Sequence, residues 1–131
     1  LQDHGLVAAL ADAASSHGPH VSVFAPHSLP ELSASVLACG YFFGTEALTN
    51  AAKHAPGAPV SVLVTSDDSL RITVVDEGPG GAQVVPGHGL AGMAERLAAF
   101  GGEMSLSSPP GGPTRVAGSI PLLLDRGQPG V

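Results

Sequence analysis

The sequence predicts an α+β fold: a two-layer sandwich in which a mixed, mostly antiparallel sheet is covered by about three helices on one face. Three observations point there. Two pairs of alternating apolar runs are each joined by a polar or Gly/Pro-rich turn, three stretches carry apolar residues at helical spacing, and no internal repeat is present. With 131 residues and no large break in composition, the expectation is one domain over residues 1–124 and a frayed polar tail at 125–131.

In chain order, residues 4–16 carry Leu6, Val7, Leu10 and Ala14 at helical spacing, and Gly18-Pro19 ends that helix. A short strand is expected at 21–24. The stretch 26–30, bounded by Pro26 and Pro30, is a linker, after which 31–55 reads as a long helix stopped by Pro56-Gly57. Leu37, Tyr41, Leu48, Ala51 and Ala55 are its candidate core residues. Val60, Val62, Val64 and Leu70, Ile72, Val74 alternate on either side of Ser66-Asp67-Asp68-Ser69, the pattern of an antiparallel hairpin. Residues 77–88 are too rich in Gly and Pro for a regular element, whereas 90–100 has helical periodicity and stops at Gly101-Gly102. A second hairpin pairs 103–107 with 115–122 across a Pro/Gly turn at 108–113.

A net charge of -6, with Lys and Arg scattered, leaves no basic footprint for a nucleic-acid backbone. The same field opposes any polyanionic ligand, which would need a metal ion, free backbone N–H groups and a local cation. Cys39 is the single cysteine, so no internal disulfide forms and a buried, inert thiol is expected. Apolar stretches fall short of the ~18 residues of a membrane span, and the expectation is a soluble, cytoplasmic domain. The chain starts at Leu1 with no Met, as a piece cut from a longer parent would.

Three features carry chemistry. Glu46, Asn50 and His54 recur at i, i+4 on the long helix, with Lys53 alongside, giving one polar stripe on an otherwise apolar element; its ordinary reading is a solvated helix face. Asp76 continues the inward face of Leu70, Ile72 and Val74 by the period of two, so a carboxylate points toward the core and requires a hydrogen-bond partner. Gly78 and Gly80, just beyond, would let a planar group approach the backbone; a plain turn is the alternative. Gly87, His88, Gly89 and Leu90 open a helix, where free N–H groups and the dipole favour phosphate oxygens, although the Walker Lys-Ser/Thr sequence is missing.

In that order the three features resemble a known family. Glu46-Ala47-Leu48-Thr49-Asn50-Ala51-Ala52-Lys53-His54-Ala55 resembles the asparagine box of bacterial sensor histidine kinases, particularly the nitrate-sensor and lipid-desaturase-sensor group. Asp76-Glu77-Gly78-Pro79-Gly80 resembles their first glycine box, and Gly87 to Leu97 followed by Phe100-Gly101-Gly102 their second. Gly111-Gly112-Pro113-Thr114 is similar to the closing box, with Pro113 where many relatives have Gly.

The resemblance implies the Bergerat ATP-binding fold shared by gyrase, heat-shock chaperone, histidine kinase and mismatch-repair ATPases. It implies that Asn50 holds Mg²⁺, that Glu46 lies near the γ-phosphate as base or as positioner of water or metal, and that Lys53 neutralises phosphate. His54 would line the adenine or ribose, Asp76 would bond the adenine amino group, and Thr114 would support Asp76 through water. Gly87, His88, Gly89 and Leu90 would close over the phosphates, with residues 79–88 as a short lid.

The family's phosphoacceptor lies on a separate dimerisation hairpin with an E-L-H-D-like sequence, and His4 does not match it. The chain alone is therefore expected to bind Mg-ATP as a monomer without phosphorylating itself, the hairpin and a downstream response regulator being its partners. His17, His20 and His27 lack metal-ligand spacing. Two other functions fit the same motifs: a serine kinase of the anti-sigma-factor type, and a noncatalytic nucleotide-binding interaction module.

Overall fold

The computed structural model describes residues 5–83 and 89–122. Helix α1 (Gly5–Ser15) leads into strand β1 (Val21–Phe24) and the long helix α2 (Ala34–His54). Strands β2 (Val60–Ser66) and β3 (Ser69–Asp76) form the first hairpin, and helix α3 (Gly89–Ala99) precedes the second, β4 (Glu103–Ser107) and β5 (Thr114–Pro121). The five strands make one sheet in the order β1-β2-β3-β5-β4, with β1 parallel to β2 and every other pair antiparallel. This is the expected mixed, mostly antiparallel sheet.

One face of that sheet carries the core. Val62 stands opposite Val74, and Val74 opposite Val116; Val64, Ile72 and Gly118 form the next inward row. Leu6 and Leu10 of α1, Val36, Phe43 and Leu48 of α2, and Met93 and Leu97 of α3 cover these rows in a single buried cluster. Close approach is possible because glycine stands at the contacts. A Cβ on Gly44 would come within 2.5 Å of Leu10 Cδ2, and one on Gly118 within 2.9 Å of the Phe43 ring. The opposite sheet face is wet and leaves Phe24 63% exposed beside its parallel neighbour Leu63.

Two element-level expectations change. Helix α2 starts three residues later than 31, because Ser33 takes the N-cap and its hydroxyl accepts from the Val36 N–H at 3.2 Å. Tyr41 is exposed and stays out of the core; the residues that face inward on that part of α2 are Gly40, Phe43 and Gly44. The other named core residues of α2, namely Leu37, Leu48, Ala51 and Ala55, are buried. Cys39 is buried too, and burial pushes its thiol up from the ordinary value, with only partial relief from the Arg96 charge. Helix α3 ends as Gly101-Gly102 predicted: Gly101 takes φ +76 and the Gly102 N–H donates back to the Leu97 carbonyl at 2.8 Å. The tail at 125–131 lies outside the described residues.

Candidate nucleotide site

Beyond the apolar rows the sheet changes character. The next inward row is Val60, Asp76 and Thr114, so the period that buries Ile72 and Val74 carries one carboxylate and one hydroxyl onto the core side. Asp76 is 7% exposed and is the one charged residue buried among those described. Its Oδ1 accepts from the Gly78 N–H at 3.0 Å, which fixes the carboxylate and leaves its other oxygen free of any protein bond among the described residues. That is the arrangement a ligand amino group can complete. Gly78 is needed for packing: a Cβ there would run into the Ala55 side chain.

In front of Asp76 lies a cavity of about 680 Å³. The last turns of α2 supply Asn50, Lys53 and His54; the end of β3 and the start of β5 supply Asp76 and Thr114; Gly80 comes from the loop after β3, and Gly89 and Leu90 from the start of α3. Eight of the residues singled out from sequence are thus brought together. Glu46 and Gly78 are not in the cavity wall: Glu46 is half-buried one turn before Asn50 on the same helix, and Gly78 supports the Asp76 carboxylate from behind. Gly87 and His88 lie outside the described residues, as does the second half of the expected lid.

Asn50 is held at the junction of α2 and α3. Its Nδ2 donates to the buried Met93 Sδ at 3.6 Å, a weak bond, and a Cβ on Gly89 would come within 3.3 Å of its Oδ1. Glycine at 89 therefore leaves space around the amide oxygen. The described residues contain no group of three or more His, Cys, Asp or Glu that could cage a metal. One amide oxygen suits a hard cation that keeps most of its ligands from water and phosphate, as Mg²⁺ does. Positive charge comes from Lys53 in the last turn of α2 and from the N–H groups in the first turn of α3, which have no partner within the helix.

The wall opposite α2 is built by two turns locked together. The Gly81 N–H donates to the Ser108 carbonyl at 2.9 Å and the Ala82 N–H to the Ser108 hydroxyl at 2.9 Å, while the Gly111 N–H donates to the Pro79 carbonyl at 2.8 Å. Ser108 Oγ also lies 2.6 Å from Thr114 Oγ1. Gly80 (φ +72) and Gly112 (φ +80) meet where these turns cross: a Cβ on Gly80 would strike the Pro109 carbonyl, and one on Gly112 the Gly78 carbonyl. Thr114 is in register with Asp76, as its expected role requires, but its hydroxyl partner in the structure is Ser108.

Gly81, Ala82 and Gln83, which line the cavity, fall within the lid expected at 79–88 but were not singled out, and the tether through Ser108 was missed. Val74, also in the wall, was legible as a member of the inward face of β3 without a link to the site, and Val116 is its register partner. Nothing in a Ser-Pro-Pro-Gly-Gly-Pro turn distinguishes the first residue as the anchor of a loop 26 positions away.

Residues 44–124 match the model of the family described as histidine kinase-, DNA gyrase B- and HSP90-like ATPases. The chain belongs to that family. The curated relatives that it matches are sensor kinases. It is 33% identical over 79 residues to the sensor histidine kinase YxjM of Bacillus subtilis, covering 60% of this chain and 20% of that protein. It is 38% identical over 81 residues to the signal transduction histidine-protein kinase/phosphatase UhpB of Salmonella typhimurium, covering 58% of this chain and 15% of the relative. The chain thus spans about a fifth or less of the length of these two proteins. Among solved structures, the histidine kinase domain of the Erythrobacter litoralis EL346 blue-light activated histidine kinase superposes with a TM-score of 0.68 at 23% identity, covering 90% of this chain and 65% of that one; it shares the fold.

Proposed function

We propose that this ATPase-family domain binds Mg-ATP in the cavity in front of Asp76 and donates the γ-phosphoryl group to a histidine on a separate dimerisation hairpin of the same kinase. The observation that carries the reading is the buried Asp76 carboxylate, held by one backbone N–H and open to a ligand donor at the head of the cavity. The adenine amino group donates to the free Asp76 oxygen. The triphosphate then runs toward Asn50, Lys53 and the start of α3, where the N–H groups of the helix end and the Lys53 ammonium oppose its charge. When bound, Mg²⁺ supplies charge neutralisation and alignment of the phosphate oxygens, with the Asn50 amide oxygen as its protein ligand.

Transfer itself is mostly positioning. The unprotonated nitrogen of the acceptor imidazole forms a bond to the γ-phosphorus as the bond to the bridging oxygen breaks, and that electron pair leaves on ADP. Glu46, one turn before Asn50, takes the proton from the other ring nitrogen. A response regulator then receives the phosphoryl group. Glu46 acts from outside the cavity wall, where the partner hairpin must approach.

Calorimetric titration of ATP, with and without Mg²⁺, into the chain and into Asp76→Asn tests the binding half. Binding that needs Mg²⁺ and drops sharply in Asp76→Asn supports it; a folded chain that binds no ATP sinks it. Labelled-phosphate transfer to a supplied acceptor hairpin tests the other half, and ATP binding without transfer would favour the noncatalytic module.

A further inference from the structure

The Ser108 hydroxyl sits outside the cavity yet joins two of its walls. It accepts from the Ala82 N–H at 2.9 Å and lies 2.6 Å from Thr114 Oγ1, while the Ser108 carbonyl accepts from the Gly81 N–H at 2.9 Å. Gly81, Ala82 and Thr114 all line the cavity, and Thr114 is the register partner of Asp76. One side chain therefore sets the distance between the loop wall and the sheet floor. A serine placed in a Pro/Gly turn merely for solubility would satisfy its hydroxyl with water; this one is half-buried with two protein partners.

From this geometry we infer that Ser108 is a positioning residue of the nucleotide site: its hydroxyl pins the segment that follows Asp76 against β5, so that residues 80–83 form a wall before any ligand arrives. The inference rests on the ATP-binding reading. Preformed walls avoid the cost of ordering a loop during binding, so removing the pin lowers affinity without touching a ligand contact. The Gly80 and Gly112 crossing keeps the two turns together in its absence, which confines the effect to Ala82.

The test uses the full chain with Ser108→Ala and Ser108→Thr, reading Mg-ATP affinity, thermal midpoint and backbone amide exchange. Ser108→Ala is expected to weaken ATP binding roughly three- to ten-fold, the scale of one lost hydrogen bond. Its Ala82 amide, which loses its acceptor, should exchange faster, while the Gly81 amide, bonded to the Ser108 carbonyl that alanine keeps, the amides of β3 and β5 and the thermal midpoint stay put. Ser108→Thr keeps the hydroxyl and should restore both affinity and protection. Wild-type binding with an unchanged affinity in Ser108→Ala overturns the inference and leaves the ATP reading intact. Faster exchange throughout the sheet with a lowered midpoint also overturns it, since that marks a purely structural role. A wild-type chain that binds no ATP overturns the ATP reading and the inference with it.

Discussion

Helix α2 has two halves that behave differently. From Val36 to Leu48 its inward face is apolar and presses Phe43 onto Gly118, with glycines at 40 and 44 bringing α1 and the sheet close. From Asn50 to His54 the helix borders the cavity, its side chains are amide, ammonium and imidazole, and the exposed residues carry the charge. The first half holds the domain together by filling space; the second keeps space open and lines it with polar groups. A single element can do both because the sheet row it covers changes from Val62, Val74 and Val116 to Val60, Asp76 and Thr114 within two residues. The difference teaches that stability and ligand binding are separable along one helix, and substitutions can test that separation.

The largest effect is expected at Phe43, which is 1% exposed: Phe43→Ala should lower unfolding stability by about 3–5 kcal/mol in denaturant titration. ATP affinity measured where the variant is still folded should change little. A collapse of binding in the folded variant would show that the two halves are coupled.

Asp76→Asn comes next. Losing a hydrogen bond to a charged acceptor costs about 1.5–3 kcal/mol, so ATP should bind roughly 10- to 100-fold more weakly by calorimetry, with a nearly unchanged melting curve because Asn can still accept from the Gly78 N–H. Equal affinity would remove the carboxylate from the binding account. Lys53→Ala should weaken ATP by about tenfold or less, and the difference should shrink as salt is raised, since the ammonium is exposed. A salt-independent loss would mean that Lys53 acts through packing.

The smallest effect sharpens the apolar half. Cys39 should react slowly with a thiol reagent until the protein unfolds. Its folded-state pKa is raised above the unfolded value, chiefly by burial, so the stability it contributes is full below the free-thiol range and declines as pH rises through it. Fast labelling of the native chain would place the thiol nearer the surface than the structure does.

The apolar half was the more legible in sequence. Alternation in β2 and β3 and the helical spacing of Leu6, Leu10 and Ala14 gave the layers directly, because burial imposes a period that single residues cannot hide. Tyr41 misled for a physical reason: helical periodicity marks a face about 100° wide, and Gly40 and Gly44, invisible to an apolar count, were the residues that faced the core. The start of α2 was misplaced because Glu31 and Leu32 continue the composition of a helix while the cap at Ser33 depends on one hydroxyl. In the site, Asp76 was legible from its parity in β3, and Asn50 and His54 from their i, i+4 spacing. The loop wall was not, since Gly81 and Ala82 take their places from hydrogen bonds to a distant turn, and such pairings leave no periodic trace.

The interlocked turns have a consequence for how much the chain can vary. Upstream, Ala82 is tied to Ser108; downstream, Gly89 begins a helix whose Met93 and Leu97 are sealed into the core. Each of these segments is thus moored by contacts of its own among the described residues. Variation should therefore be tolerated least at the crossing itself, where any side chain on Gly80 or Gly112 would strike a backbone carbonyl.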